Sequence, residues 1–308
     1  MHKNFYELND YLSQVLQKGQ PTSILRIDNT AGYIIDSVLR KRSIVGEFFN
    51  PRTILEGGIF PNTPEYAINV AYKKTFESMI NSDCVGFVDI SGDIKKDSPL
   101  LQYLKDKVTF FKDGFMVFDP GAILGYSKLY LENLEHSEYI DPWTRHLKNK
   151  RVLVISTHAE SIKHQWEHRH KVWGDRLELI VPFDLVDVIR APYHPEVDSR
   201  QYPNCETWED SVNYICKLIE SYDFDVLLSG STTSSPIFVQ KAKSMGKIGI
   251  QTGGVIQLYF GLKGGRWAKV PAYSDWHKMF NEHWIYPLKI DEPQNKLQGI
   301  ESNFAYWG

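Results

Sequence analysis

Four short stretches gather residue types that can hold an anion: Asp28–Thr30, Ser156–Glu160, Gly230–Ser235 and Thr252–Gly254. Each follows an apolar run. Hydroxyls and main-chain N–H groups bind phosphate when the backbone can approach it closely, and a helix N-terminus adds favourable dipole charge. This chemistry nominates Asn29 and Thr30 in the first stretch, and Ser156, Thr157 and His158, with Ser161 just beyond, in the second. It nominates Gly230, Ser231, Thr232 and Ser234 in the third, and Thr252, Gly253 and Gly254 in the fourth. The third, "SGSTTSSP", suits phosphate best by composition. Serine and threonine also cap helices with no ligand involved, and both readings stand at this stage. Neither G-x-G-x-x-G nor G-x-x-x-x-G-K-[ST] occurs, so no dinucleotide fingerprint and no P-loop is indicated. No G-x-S-x-G elbow marks a nucleophilic serine.

A different chemistry is suggested by His164-Gln165-Trp166-Glu167-His168, which fits H-x-x-E-H. On a helix this spacing puts both imidazoles on one face, as two zinc ligands require. No third ligand is marked, and the surrounding His, Lys and Arg also fit a solvated helix face.

The elements that position these stretches are legible from periodicity. "KRVLVIS" (150–156), "LELIVPF" (177–183), "FDVLLSG" (224–230) and "KIGIQTGG" (247–254) are short apolar runs of the kind that form buried parallel strands. Helical patterns lie between them. One is expected over 157–174, with Thr157 a candidate N-cap and Glu160 three residues on; another spans 207–222; a third has Pro236 in its first turn and Gly246 at its stop. The first half repeats the pattern less clearly, with strands expected over 23–29 and 83–91, two short ones within 108–120, and a helix over 63–82. Alternation of this kind predicts an α/β fold with a Rossmann-like, doubly wound, mostly parallel sheet. A soft boundary near 140–150 separates an N-terminal α/β half (1–145) from a Rossmann-like C-terminal half (146–308), expected to form one continuous catalytic unit. In such sheets ligands bind beyond the carboxyl ends of the strands, where all four stretches fall.

The chain has 308 residues, of which 42% are hydrophobic and 24% charged, with a formal net charge of −3 and no basic tract. That balance argues for a globular protein without a nucleic-acid partner. Three cysteines without C-x-x-C spacing fit a reduced, cytoplasmic setting. No apolar run reaches the roughly 20 residues that span a bilayer; peripheral membrane association and homo-oligomer formation stay open.

Taken together, "SILRIDNTAGYI", "GGIFPNTPE", "PWTRHLKNKRVLVISTHAESIKHQW", "NEHWIYP", "IESNFAYW" and above all residues 224–267 resemble the bacterial capsular and cell-surface polysaccharide proteins of the GT-D glycosyltransferase fold class. The most specific positions are Gly253, Gly254, Gln257, Phe260, Gly261, Gly264, Arg266 and Trp267. The resemblance implies transfer of a sugar from a nucleotide-sugar donor, UDP- or GDP-linked or similar, to a glycan or lipid-linked acceptor in surface polysaccharide synthesis. It implies that Gln257 joins the donor cleft, that Gly253 and Gly254 let backbone approach a diphosphate, and that Arg266 neutralises the leaving group. Trp267 is read as a core anchor. His158 and Gln165 are expected near donor or acceptor.

The same resemblance exposes a departure. Relatives carry Arg-x-Gly-x-x-Glu near the N-terminus, often with Asp-x-Glu bound to a divalent metal. Here the run is Arg26-Ile27-Asp28-Asn29-Thr30-Ala31. One displaced carboxylate is a poor site for Mg2+ or Mn2+, which want oxygen ligands in fixed geometry. Three outcomes follow: a metal-independent enzyme whose phosphate charge is carried by Arg26 and helix termini; an enzyme in which Asp28 holds the metal or acts as base; or a binding or scaffold protein of a glycan assembly complex that has lost activity. Catalytic expectations therefore rest on Asp28 and Arg26, with Asp89 and Glu160 as further carboxylates. The zinc-hydrolase reading through His164 and His168 is the remaining alternative.

Overall fold

The computed structural model of the chain describes residues 5–27, 29–40, 57–61, 63–87, 98–112, 141–191, 195, 198–231, 233–269, 279–294 and 307. Helix α1 (Phe5–Lys18) buries Leu8, Leu12, Val15 and Leu16, the i, i+4, i+7, i+8 stripe of an amphipathic helix. Strand β1 (Thr22–Ile27) follows, then α2 (Asn29–Leu39). A helical turn at Pro64–Tyr66 and a π-helical segment at Ala67–Tyr72 lead into α3 (Lys73–Ile80). Strand β2 (Cys84–Phe87), helix α4 (Pro99–Lys107) and strand β3 (Thr109–Lys112) complete the first half. The second half runs β4 (Arg151–Ser156), α5 (Ala159–Glu167), β5 (Asp184–Arg190), α6 (Trp208–Glu220), β6 (Val226–Ser229), α7 (Ser235–Ser244) and β7 (Ile248–Gln251).

These seven strands form one sheet in the order β3-β2-β1-β7-β6-β4-β5. Every neighbouring pair is parallel, so all carboxyl ends share one edge. β1 pairs with β7, which joins strands from both sides of residue 145. The connection after β4 leads outward to β5, whereas β6 lies on the other side of β4. Reversals of this kind mark the carboxyl edge as the place where such sheets take ligands.

Side-chain alternation sends the strands' apolar groups to both faces. Ile24, Val152, Val154, Val226 and Leu228 pack with α1 and α5. Leu25, Leu153, Ile155 and Leu227 pack on the opposite face with α2, α4, α6 and α7. Each such aliphatic side chain contributes about 1.5–3 kcal/mol by leaving water, which explains why the strands are nearly continuous hydrophobic runs. Gly249 has a steric role: a Cβ there would stand 2.6 Å from Val239 O and 2.9 Å from Val239 Cα. Its absence lets α7 lie directly on β7. The fold is thus a Rossmann-like α/β arrangement with helices on both faces.

Three expectations need correction. Residues 177–183 are not a strand: Leu177–Ile180 is a helical turn, and the strand is Asp184–Arg190. The apolar run is explained by burial of Ile180, Val181 and Phe183 under the sheet, while β5 is an edge strand whose Asp184 is exposed and whose Asp187 is half-buried. The helix after β4 breaks at His168, and a second short helix covers Arg169–Trp173. Its N-cap is His158 rather than Thr157, and no side chain caps it from that position. Strand expectations beyond Phe87 and Lys112 fall outside the described residues. Among the described residues no helix is long and apolar enough to cross a membrane.

Candidate functional site

The carboxyl edge of the sheet carries the ends of β1, β7, β6 and β4 side by side. At β1 the backbone N–H of Arg26 donates to Gln251 Oε1 on β7 (3.1 Å), extending the pairing beyond Ile24↔Ile250, where the strand ladder stops. The Arg26 guanidinium lies against Gly253. A Cβ at residue 253 would stand 2.4 Å from Arg26 Nη1. Gly253 also has φ of 62°, the left-handed region open to glycine. Both facts make glycine the residue that fits here: it turns the chain out of β7 and leaves the space the arginine occupies. The turn Gly253–Val255 continues into a short helix at Ile256–Tyr259.

β6 is fitted against the same turn. A Cβ on Gly230 would meet Ile256 Cγ2 at 2.3 Å and Gly253 O at 3.1 Å. The N–H and hydroxyl of Thr252 both donate to Ser229 O, at 2.9 and 3.1 Å. Arg26, Thr157, Gly230, Gly253 and Gly254 are half-buried and reach the surface of this edge.

Most of the hydroxyls nominated for phosphate point elsewhere. Ser231 and Ser234 are buried in a network with Ser229 and Ser235, with oxygen separations of 2.8 Å for Ser229–Ser235 and 2.9 Å for Ser231–Ser235. Thr252 is 1% exposed. Ser156 is buried and its Oγ accepts the His158 N–H (3.2 Å). His158 is buried, its ring 4.5 Å from that of Trp307 and its Nδ1 3.3 Å from Thr157 Oγ1. Gln257 is fully buried, and its Nε2 donates to Lys263 O (3.1 Å), bracing the turn into the following glycines. Gln165 likewise braces the interior, donating to Gly261 O (3.1 Å) and His283 O (3.0 Å). Trp267 belongs to the core. Gly265 N–H donates to Trp307 O (2.9 Å), so the C-terminal tryptophan ties the β4 loop to the glycine loop.

At the N-terminus of α5 the expected ligand position is filled from within the chain. Asp291 Oδ1 accepts Glu160 N–H (3.2 Å), and Oδ2 accepts Ser161 N–H (2.6 Å) and Ser161 Oγ–H (2.5 Å). Asp291 is 2% exposed. Glu160 itself is exposed beside Lys163 (3.6 Å). Asn29 and Thr30 open helix α2, and Arg266 lies in the short helix Gly265–Lys269. Asp28, Asp89 and Thr232 lie outside the described residues.

The metal-binding residues implied by resemblance are not reproduced. Ala31, where relatives have glutamate, is 6% exposed and packs with Ile34 and Ile35 in the core, and Asn29 brings an amide rather than a carboxylate. Among the described residues no group of three or more His, Cys, Asp or Glu could hold a metal ion. His164 and His168 do face each other, with ring centroids 4.7 Å apart, but His168 Nδ1 lies 2.9 Å from the His164 carbonyl oxygen. That contact turns one nitrogen toward the backbone, and the described residues bring no third ligand.

Sequence reasoning missed Gln251, Asp291 and the role of Trp307. Gln251 was hidden by its place in a strand. Asp291 lies more than a hundred residues from the helix it caps, and no local pattern signals that pairing.

No family model matches the chain, and no curated protein matches it significantly. Two solved structures are similar in outline. One, described as "A New Glycosyltransferase (DUF1792) from Streptococcus sanguinis", has 13% identity and a TM-score of 0.47 over 92% of this chain and 98% of that one. The other, a "Selenomethionine substituted structure of domain of unknown function 1792 (DUF1792)", has 11% identity and a TM-score of 0.39 over 89% of this chain and 98% of that one.

Proposed function

We propose that the chain is a glycosyltransferase that moves a sugar from a nucleotide-sugar donor to a glycan or lipid-linked acceptor. The observation that carries this reading is the Arg26 guanidinium seated on Gly253 at the carboxyl edge of a parallel sheet. An always-charged planar fork beside side-chain-free backbone is suited to a diphosphate. In the reaction the bond between the sugar's anomeric carbon and the diphosphate oxygen breaks, and a bond to the acceptor oxygen forms. The nucleoside diphosphate leaves with added negative charge, which Arg26 stabilises, assisted by backbone at Gly230, Gly253 and Gly254. Arg266 is the second cation for the leaving group. Asp28, directly after β1, is the candidate base for the acceptor hydroxyl.

A metal-independent mechanism is part of this reading, because Ala31 and Asn29 supply no carboxylate pair. The test is thermal-shift titration with UDP, GDP and CDP and their sugar conjugates, each with Mn2+ and with EDTA. A ligand that binds the folded state raises Tm. One nucleotide class should do so equally in both conditions and lose its effect in Arg26→Ala. If none raises Tm, or if the effect survives Arg26→Ala, the reading fails. A second reading, a donor-binding subunit without turnover, is favoured by the same Ala31 and is distinguished by donor binding with no release of free nucleoside diphosphate.

A further inference from the structure

The N-terminus of α5 begins at the carboxyl end of β4, where doubly wound folds ordinarily present a phosphate with helix N–H groups. In this chain that place holds the Asp291 carboxylate, with bonds from Glu160 N–H, Ser161 N–H and Ser161 Oγ–H. The turn that brings it there is held from two sides. Ser161 Oγ accepts Leu288 N–H (2.8 Å), and Asp291 N–H donates to Leu288 O (2.9 Å). Arg200 donates to the carbonyls on either side of Asp291, through Nη1 to Ile290 O (2.5 Å) and through Nη2 to Glu292 O (2.7 Å). Arg200 is in turn fixed by fully buried Asp198, to which its Nε donates at 2.8 Å, with Arg190 Nη1 at 3.3 Å on the same carboxylate.

From this we infer that Asp291 is a built-in anion that closes the β4–α5 end of the edge to the donor's diphosphate and acts as a positioning residue for the β4 loop. The inference rests on the proposed donor site and says which end of the edge serves it. A second anion at α5 would meet a buried like charge, so the diphosphate is directed to Arg26 and Gly253. The positioning runs through the helix start. Asp291 fixes the N–H groups of residues 160 and 161, and the His158 carbonyl accepts the first bond of that helix from Ile162 N–H (2.9 Å). His158 is thereby held against Trp307, whose carbonyl accepts Gly265 N–H (2.9 Å) in the loop that follows the Gly253 turn in the chain.

The test uses full-length Asp291→Ala and Asp291→Asn proteins with wild type, in chloride or formate buffer of equal ionic strength. Asp291→Ala vacates a carboxylate-sized place, which formate fills. Its Tm should rise with formate while that of wild type does not change. Affinity for a nucleoside diphosphate, read by titration with UDP, GDP or CDP, should fall at least tenfold in Asp291→Ala and return in formate. Asp291→Asn keeps the shape and one accepting oxygen. It should fall between the two, and it carries the test alone if the alanine variant does not fold. Wild-type nucleotide affinity in both variants would overturn the inference. So would an affinity loss in Asp291→Ala that formate does not reverse, or a formate effect of equal size in wild type. If no nucleoside diphosphate binds wild type, the donor reading fails by itself, while the formate-dependent Tm still decides whether Asp291 occupies the helix end.

Discussion

Replacing Gly253 by alanine separates the role of this residue in folding from its role in the site. Alanine at φ of 62° costs about 1–2 kcal/mol of backbone strain. The added methyl would also stand 2.4 Å from Arg26 Nη1, so one of the two must move. The colliding group is the far end of a long side chain, and a rotamer change relieves it with little further loss of stability. The position of the guanidinium is what is lost. A charge-assisted hydrogen bond to phosphate is worth about 1.5–3 kcal/mol, which converts to about 10- to 150-fold in affinity.

Gly246 provides the control. It has φ of 78° and nothing within 4 Å of a built Cβ, and it lies at the opposite, amino end of β7. Gly246→Ala therefore carries the same strain without touching Arg26. Both variants should lose a few degrees of Tm, measured by circular dichroism. Only Gly253→Ala should lose nucleoside diphosphate affinity, measured by calorimetry, and adding Arg26→Ala to it should cost little more. Equal affinity in Gly253→Ala and Gly246→Ala would refute the assignment of Arg26 and Gly253 to one site.

Further outcomes follow from the packing and the charges. Gly249→Ala should destabilise by roughly 1–3 kcal/mol, because its Cβ meets Val239 backbone that cannot rotate away; a melting temperature within a degree of wild type would contradict the close α7–β7 approach. The Asp198 carboxyl titrates below its ordinary value of 3.8: burial alone would raise it, but hydrogen bonds and charge from Arg200, with Arg190, override that. Its stabilisation is therefore complete above 3.8 and lost as pH falls through the lowered folded value. Urea melts of wild type and Asp198→Asn should accordingly differ by a constant amount above pH 3.8 and converge as pH falls below it. Burial pushes the Cys216 thiol up to about 11, and Cys84 is fully buried; iodoacetamide at pH near 8 should thus label Cys205 first, as mass spectrometry of native protein will show.

What the sequence made legible was set by local forces. The βαβ rhythm follows from apolar periodicity, and the Thr207–Asp210 capping box and the Gly246 stop follow from neighbours within four residues. Chain order alone also placed the Gly-Gly turn at a strand's carboxyl end. The rest is not legible for two reasons. The charged aspartates of edge strand β5 break the buried-strand pattern, while the apolar 177–183 run imitates it. In the hydroxyl-rich loops, composition cannot say which way a hydroxyl points. A serine at a strand end can satisfy buried backbone as readily as it can bind phosphate. Here Ser231, Ser234 and Thr252 satisfy the interior.

The distribution of charge along the carboxyl edge decides between the loops better than their composition does. A helix N-terminus attracts an anion, but only one anion can use it. At β4 that capacity is met by Asp291, and at β6 the start of α7 is packed with hydroxyls already bonded to one another. The β1–β7 junction places the Arg26 guanidinium beside backbone at Gly253 and Gly254 that is half-buried. On the proposed donor reading, the buried Asp291 carboxylate disfavours a diphosphate at the β4 end and leaves the Arg26–Gly253 end to receive it.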